Sequence, residues 1–211
     1  MCPVLRESSE VANAVIFDYG VGNLLSLKTA LEKAGLVVTI GTTSADLANA
    51  DAIALPGVGS FTAALEKLNS VKEALQNKIR EGIPLLGICL GLQLFFESSE
   101  EGPGEGLAFF EGRNMQLPNS VKVPHMGWNT LESAKPNELF DGIVEGTYVY
   151  FVHSLYPVPK DQTIVCTKTT YGTTFTSAVA RKNIYGTQFH PEKSGEVGLK
   201  ILRNFAKTIV K

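Results

Sequence analysis

The first half of the chain alternates short apolar runs with segments whose apolar residues recur at helical spacing, and this alternation restricts the fold more than any other feature. Ala14-Val15-Ile16-Phe17 reads as a strand, with Asp18 to Asn23 as the turn behind it. Leu24, Leu27, Leu31 and Ala34 then repeat at the period of a helix, and Gly35 closes it where a left-handed residue is wanted. Val37 to Ile40 and Asp51 to Leu55 are two further strands, the second ending at Pro56. Leu65, Leu68, Val71, Leu75 and Ile79 mark helical segments stopped by Gly82. Ile83 to Ile88 is a fourth strand that runs into Cys89, with a helix expected over Leu90 to Glu97. Strands separated by helices pair in parallel, and helices then cover both faces of the sheet.

The second half changes character. Glu100 to Gly106 is an acidic, glycine-rich loop. After it come β-rich runs: Thr147 to Val152, Thr163 to Thr170, Thr174 to Arg181 and Ile184 to Gln188, with Tyr171-Gly172 placed as a hairpin turn. Val197, Ile201, Leu202 and Phe205 form one face of a C-terminal helix. There is no internal repeat. The expected architecture is an α/β fold with an open, mostly parallel sheet, helices on both faces and an added antiparallel section. Residues 1–13 are expected to be a tail and 14–211 a single domain.

Composition excludes several function classes. The 211 residues are 44% hydrophobic and 19% charged, as in a globular domain with a real core. A net charge of -2 gives no electrostatic case for nucleic acid or a membrane surface. No apolar run reaches the ~18 residues a spanning helix needs, and the polar N-terminus has no secretory h-region. The three cysteines, Cys2, Cys89 and Cys166, are odd in number and far apart. That argues against a disulfide framework and for a reducing, cytoplasmic compartment. No close Cys or His pair has the spacing of a metal site, so neither metal nor cofactor is expected.

Two segments can carry chemistry. In Gly87-Ile88-Cys89-Leu90-Gly91 a thiol sits on a strand-to-helix turn flanked by glycines, the layout of a nucleophile elbow, where the helix dipole favours thiolate. In Phe189-His190-Pro191-Glu192 a histidine is followed two residues on by a carboxylate. In an extended segment the two side chains point the same way, so Glu192 can take one imidazole N–H and leave the other nitrogen for the thiol. Glu192 singles out His190 over His153 and His125. Pro56-Gly57-Val58-Gly59 ends a buried strand without the Lys and Ser/Thr of a phosphate loop. Its backbone N–H groups suit an oxyanion, near Cys89 if strands three and four are neighbours. Gly20-Val21-Gly22 lacks the third glycine of a dinucleotide fingerprint, since Leu25 stands there.

With Gln93 after the elbow, these motifs resemble the triad (class I) glutamine amidotransferases. Pro56-Gly57-Val58-Gly59-Ser60-Phe61, Pro124-His125-Met126-Gly127-Trp128-Asn129 and Tyr150-Phe151-Val152-His153-Ser154 narrow the resemblance to the glutaminase subunits of imidazole glycerol phosphate synthase, from about Ala14 to Lys211. The resemblance implies a flavodoxin-like three-layer fold and a Cys89-His190-Glu192 triad acting on glutamine through a glutamyl thioester. It implies an oxyanion hole from the N–H groups of Val58 and Leu90, and substrate contacts from Gly59, Gln93 and Glu101. It also implies a heterodimer with a cyclase subunit, a (β/α)8 barrel that receives the ammonia, through an interface at Asn23, Pro124, Trp128, Asn129, Tyr150 and Lys193. His125 and His153 are then structural or interfacial. Glutaminase subunits of anthranilate or pyridoxal phosphate synthase share the triad. A stand-alone cysteine hydrolase and a non-enzymatic scaffold are the remaining alternatives.

Overall fold

The structure is a computed structural model that describes residues 11–20, 22–132 and 135–209. Most of the expected N-terminal tail lies outside the described residues. The first part of the chain runs β1 (Asn13–Phe17), α1 (Leu24–Lys33), β2 (Val37–Gly41), β3 (Ala52–Leu55), α2 (Phe61–Leu68), α3 (Lys72–Arg80), β4 (Leu85–Ile88) and α4 (Leu90–Gln93). The second runs β5 (Phe96–Ser99), β6 (Phe110–Gln116), β7 (His125–Thr130), β8 (Tyr148–His153), β9 (Leu155–Pro159), β10 (Val165–Tyr171), β11 (Thr173–Arg181), β12 (Ile184–Thr187) and α5 (Gly195–Ile209).

Seven strands form one sheet in the order β10-β11-β12-β4-β3-β1-β2. From β12 to β2 every pairing is parallel, and β10 and β11 add an antiparallel flap. Alternation along β1 creates the layers. Ala14 and Ile16 pack with Leu27 and Leu31 of α1 and Ile201 and Phe205 of α5. Val15 and Phe17 face the other way, onto Phe61, Leu68 and Leu75 of α2 and α3. Each fully buried side chain of this size contributes roughly 1.5–3 kcal/mol by leaving water, so two packed faces hold the central strands firmly.

Two expectations fail locally. The helix after Cys89 stops at Gln93 instead of continuing to Glu97. Leu94, Phe95 and Phe96 are all buried, and consecutive apolar residues cannot share one helical face. Their carbonyls serve other segments instead: Leu94 O accepts from Leu107 N at 2.7 Å and Phe95 O from Phe110 N at 3.0 Å. Gly127 and Asn129 on either side of Trp128 suggest a loop, yet the segment is strand β7, paired antiparallel with β8 so that Trp128 faces Tyr150 and His125 faces His153. Gly127 at φ 136° lies within it without breaking the pairing. Strands β6 and β9 are additional. β9 carries Pro157 and Pro159, which an edge strand tolerates.

Candidate active site

Three adjacent parallel strands, β3, β4 and β12, end side by side, and the site is built on their carboxyl ends. β3 releases the loop from Pro56 to Gly59, β4 releases Cys89, and β12 leads through Gln188 and Phe189 to His190.

Cys89 has φ 54° and ψ -104°, a left-handed geometry that a residue with a Cβ adopts only at a cost of order 1–3 kcal/mol. The surroundings impose it. Cys89 N donates to Thr187 O at 2.7 Å and Cys89 O accepts from Gln93 N at 3.1 Å, so both sides of the turn are pinned. A side chain at Gly91 would overlap the Leu55 carbonyl, which explains the glycine of the elbow sterically. Because α4 has only four residues, its dipole contributes little to Cys89. Activation of the thiol must come from side chains.

His190 supplies one of them. Its Nδ1 lies 2.8 Å from Glu192 Oε1, and both side chains are about 5% exposed or less. The extended segment expected here ends at His190, because Pro191–Lys193 is a 3-10 turn. That turn, not a straight strand, brings the carboxylate back to the ring. Nε2 is left buried without a well-directed partner. Burial alone would lower the His190 pKa, but the sulfur of Cys89 and the Glu192 carboxylate outweigh it and push the value up to about 10. The ring is therefore held ready to carry a proton. Among the described residues the other buried thiol, Cys166, is pushed up to about 12 by desolvation.

A cavity of about 500 Å³ opens on Cys89, walled by Val58, Gly59, Leu90, Gln93, Glu101 and Pro124 from the sequence-derived set. It is also walled by Gln116, Val152, His153, Ser154 and Leu155, which sequence reasoning had not assigned to a site. A wider cleft of about 930 Å³ near Arg80 and Arg181 lies at the opposite end of β4 and β12, away from the thiol. Among the described residues no cluster could hold a metal ion.

The wall residues have defined partners. Gln93 Nε2 donates to Leu155 O at 3.0 Å and to Gln188 Oε1 at 3.1 Å, so its amide protons are committed within the protein. Gln188 Nε2 in turn lies 3.4 Å from Cys89 Sγ. Glu101 Oε2 accepts from Phe61 N at 2.9 Å, at the start of α2. Leu90 N–H, expected to face an oxyanion, donates to Gly57 O at 3.3 Å. Tyr19, fully buried, donates its hydroxyl to Pro56 O, just before that peptide. Gln188 could have been found in the sequence, since it precedes His190 by two residues in an extended segment.

Of the residues expected at a partner surface, Pro124 lines this cavity, and Trp128, Tyr150 and Lys193 cluster next to His190. Trp128 is 55% exposed and meets Tyr150 edge to face at 5.9 Å; Lys193 Nζ sits 5.9 Å from the Tyr150 ring. Tyr150 O accepts from His190 N at 2.8 Å, which ties this cluster to the site. Asn23 is exposed and caps α1 through Ser26 N. Asn129 turns inward, onto His125 and Thr170 O. His125 and His153 are buried. His153 Nδ1 is 2.8 Å from Leu155 O and must carry the proton there, so its Nε2 accepts from His125 Nδ1 at 3.0 Å. Burial pulls the two rings down to about 4 and about 3, leaving both neutral.

Residues 15–209 match the family Glutamine amidotransferase class-I. The chain is 46% identical over 206 residues to the imidazole glycerol phosphate synthase subunit HisH of Natronomonas pharaonis, covering 94% of this chain and 95% of that one. It is 47% identical to the HisH subunits of Archaeoglobus fulgidus (92% and 98% covered) and Pyrococcus furiosus (91% and 97%). Among solved structures, PurLQS from Thermotoga maritima superposes with a TM-score of 0.75 at 18% identity, over 93% of this chain and 98% of that one. A glutamine amidotransferase superposes at 0.72 and 18%, over 93% and 99%. At that identity these two support the fold alone. The chain belongs to the class-I glutamine amidotransferases and, within them, to the HisH subunits of imidazole glycerol phosphate synthase.

Proposed function

We propose that the chain is the glutaminase half of a two-subunit synthase, hydrolysing glutamine at Cys89 and passing ammonia to a cyclase partner. The observation that carries the chemistry is the buried His190–Glu192 pair at 2.8 Å next to a thiol held on a strained turn. Cys89 gives its proton to His190 and attacks the side-chain amide carbon of glutamine. His190 returns the proton to the departing ammonia, which leaves a glutamyl thioester. Water activated by His190 then releases glutamate. Glu192 holds the ring in one tautomer throughout. Gly59, Gln93 and Glu101 hold the substrate, and Gln93 offers its amide oxygen, since its N–H groups are already used.

The partner is a cyclase of (β/α)8 form that makes imidazole glycerol phosphate and aminoimidazole carboxamide ribotide for histidine biosynthesis. The kinship with HisH subunits supports this, as does the surface formed by exposed Trp128 and Lys193 around the half-buried Tyr150. Among the described residues no helix is long and apolar enough to cross a membrane. Glutamate release by the chain alone and mixed with the cyclase subunit tests the reading. Slow hydrolysis alone and strong acceleration in the mixture are expected. Full activity without the partner would make it an independent hydrolase, and silence in the mixture would make it a scaffold.

A further inference from the structure

We infer that Gln188 is a further catalytic residue, donating its side-chain N–H to the Cys89 sulfur and thereby holding the thiolate. The inference rests on Cys89 being the nucleophile. Gln188 is fully buried just past the end of β12, on the segment that leads to His190, and its backbone N–H is spent on Ser177 O at 2.8 Å. Its side chain has only one arrangement that satisfies its neighbours. Gln93 presents one amide N–H to it at 3.1 Å, and the other N–H of the same amide donates to Leu155 O, which fixes the orientation of the Gln93 side chain. The Gln188 oxygen must therefore turn toward Gln93, which leaves Nε2 facing Sγ at 3.4 Å.

The thiolate depends on Gln188 more than the thiol does. As a thiol, Cys89 donates to Val152 O at 3.6 Å. When the proton moves from Sγ to His190, that contact loses its hydrogen and the charged sulfur becomes an acceptor only. Gln188 is the neutral donor in place for it, and a donor to the charged form favours that form. The same N–H stabilises the sulfur again when it leaves the thioester. His190 with Glu192 behind it, Tyr19 under the elbow, and His153 and Glu101 in the cavity wall are the titratable groups around the sulfur. None of them is a neutral amide donor, so the Gln188 contribution can be separated from theirs.

The test is the pH profile of Cys89 alkylation by iodoacetamide in the full chain, for wild type, Gln188→Leu and Gln188→Met. The midpoint should rise by about one unit in both variants. Alkylation at neutral pH should slow roughly three- to tenfold, since a more basic thiolate regains part of the loss in nucleophilicity. A residue that merely fills the core would lower the melting temperature and leave the midpoint in place, and an unmoved midpoint overturns the proposal. A wild-type Cys89 that resists alkylation at every pH would overturn the nucleophile reading itself. In the wild type, the Gln188 side-chain amide resonance should move as Cys89 titrates and stay fixed in Cys89→Ser. This carries the test if both variants misfold, and a resonance that never moves defeats the proposal.

Discussion

The carbonyl oxygen of Gly57 accepts the Leu90 N–H at 3.3 Å. Gly57 O and Val58 N belong to one trans peptide, so the Val58 N–H points away from Leu90. One of the two donors proposed for the oxyanion is blocked by a carbonyl, and the other is turned aside. A missing donor costs about 2.7–4 kcal/mol, or 10²–10³ in rate, enough to keep the free subunit nearly silent. Rotating that single peptide should free the Leu90 N–H and turn the Val58 N–H toward it.

The glycines flanking Val58 make such a rotation testable. Gly59 has φ 125°, which a side chain disfavours. Gly57 is not at positive φ, contrary to what its glycine suggests. A Cβ there would meet the Tyr19 hydroxyl at 2.7 Å and Leu90 Cβ at 2.9 Å. Gly57→Ala and Gly59→Ala should each cut partner-stimulated glutaminase by at least tenfold while changing basal activity less. A stimulated complex in which Gly57 O still sits on Leu90 N at full turnover would refute the switch.

Cys89→Ala should abolish glutamine-dependent synthesis in the complex, a loss of several orders of magnitude. Supplied ammonium should still support the cyclase, because its own site is untouched. Glutaminase activity within about tenfold of wild type, only ~1.4 kcal/mol of barrier, would remove Cys89 from the mechanism.

The parallel sheet and the elbow were legible because each was written locally. Apolar runs gave the strands, Gly35 and Gly82 gave the helix ends, and Gly87 to Gly91 marked the turn at Cys89. What escaped depends on tertiary partners. Strand β7 exists because β8 supplies its hydrogen bonds, and nothing in His125 to Thr130 taken alone demands extension. The helix after Gln93 is lost because Leu107 and Phe110 claim its carbonyls. The Gln188 and Gln93 pair bridges 95 residues, so no spacing rule reveals it.

The Trp128, Tyr150 and Lys193 cluster should matter in the complex more than in the free chain. Trp128 is more than half exposed, so its removal leaves no large internal cavity. Trp128→Ala should lower the ratio of cyclase product to glutamine hydrolysed and shift the melting temperature of the free chain little. Lys193→Ala should weaken partner stimulation, most clearly at low salt, where surface pairs are strongest. A ratio near one-to-one with a sharp fall in melting temperature would assign Trp128 to the core. Unchanged stimulation at low salt would release Lys193 from the interface.

The two buried histidines predict how the fold responds to acid. His125 and His153 ionise near 4 and 3 in the folded chain, against an ordinary value of 6.5. Between those values the unfolded chain binds protons that the folded chain refuses, so unfolding is favoured as pH falls. Their contribution is fully present above about pH 6.5 and is lost progressively as pH drops toward 4 and then 3. Their hydrogen-bond chain ends on Leu155 O, which also orients Gln93, so acid should loosen the cavity wall before the sheet. A His125→Gln, His153→Gln double variant should be less stable than wild type at pH 7, because its amides fit the chain poorly. The gap should narrow steadily from pH 6.5 to pH 4 in urea unfolding. Curves that run parallel across that range would mean the two rings take up protons equally in the folded and unfolded chains, and that the Leu155 carbonyl is held by something other than a neutral His153.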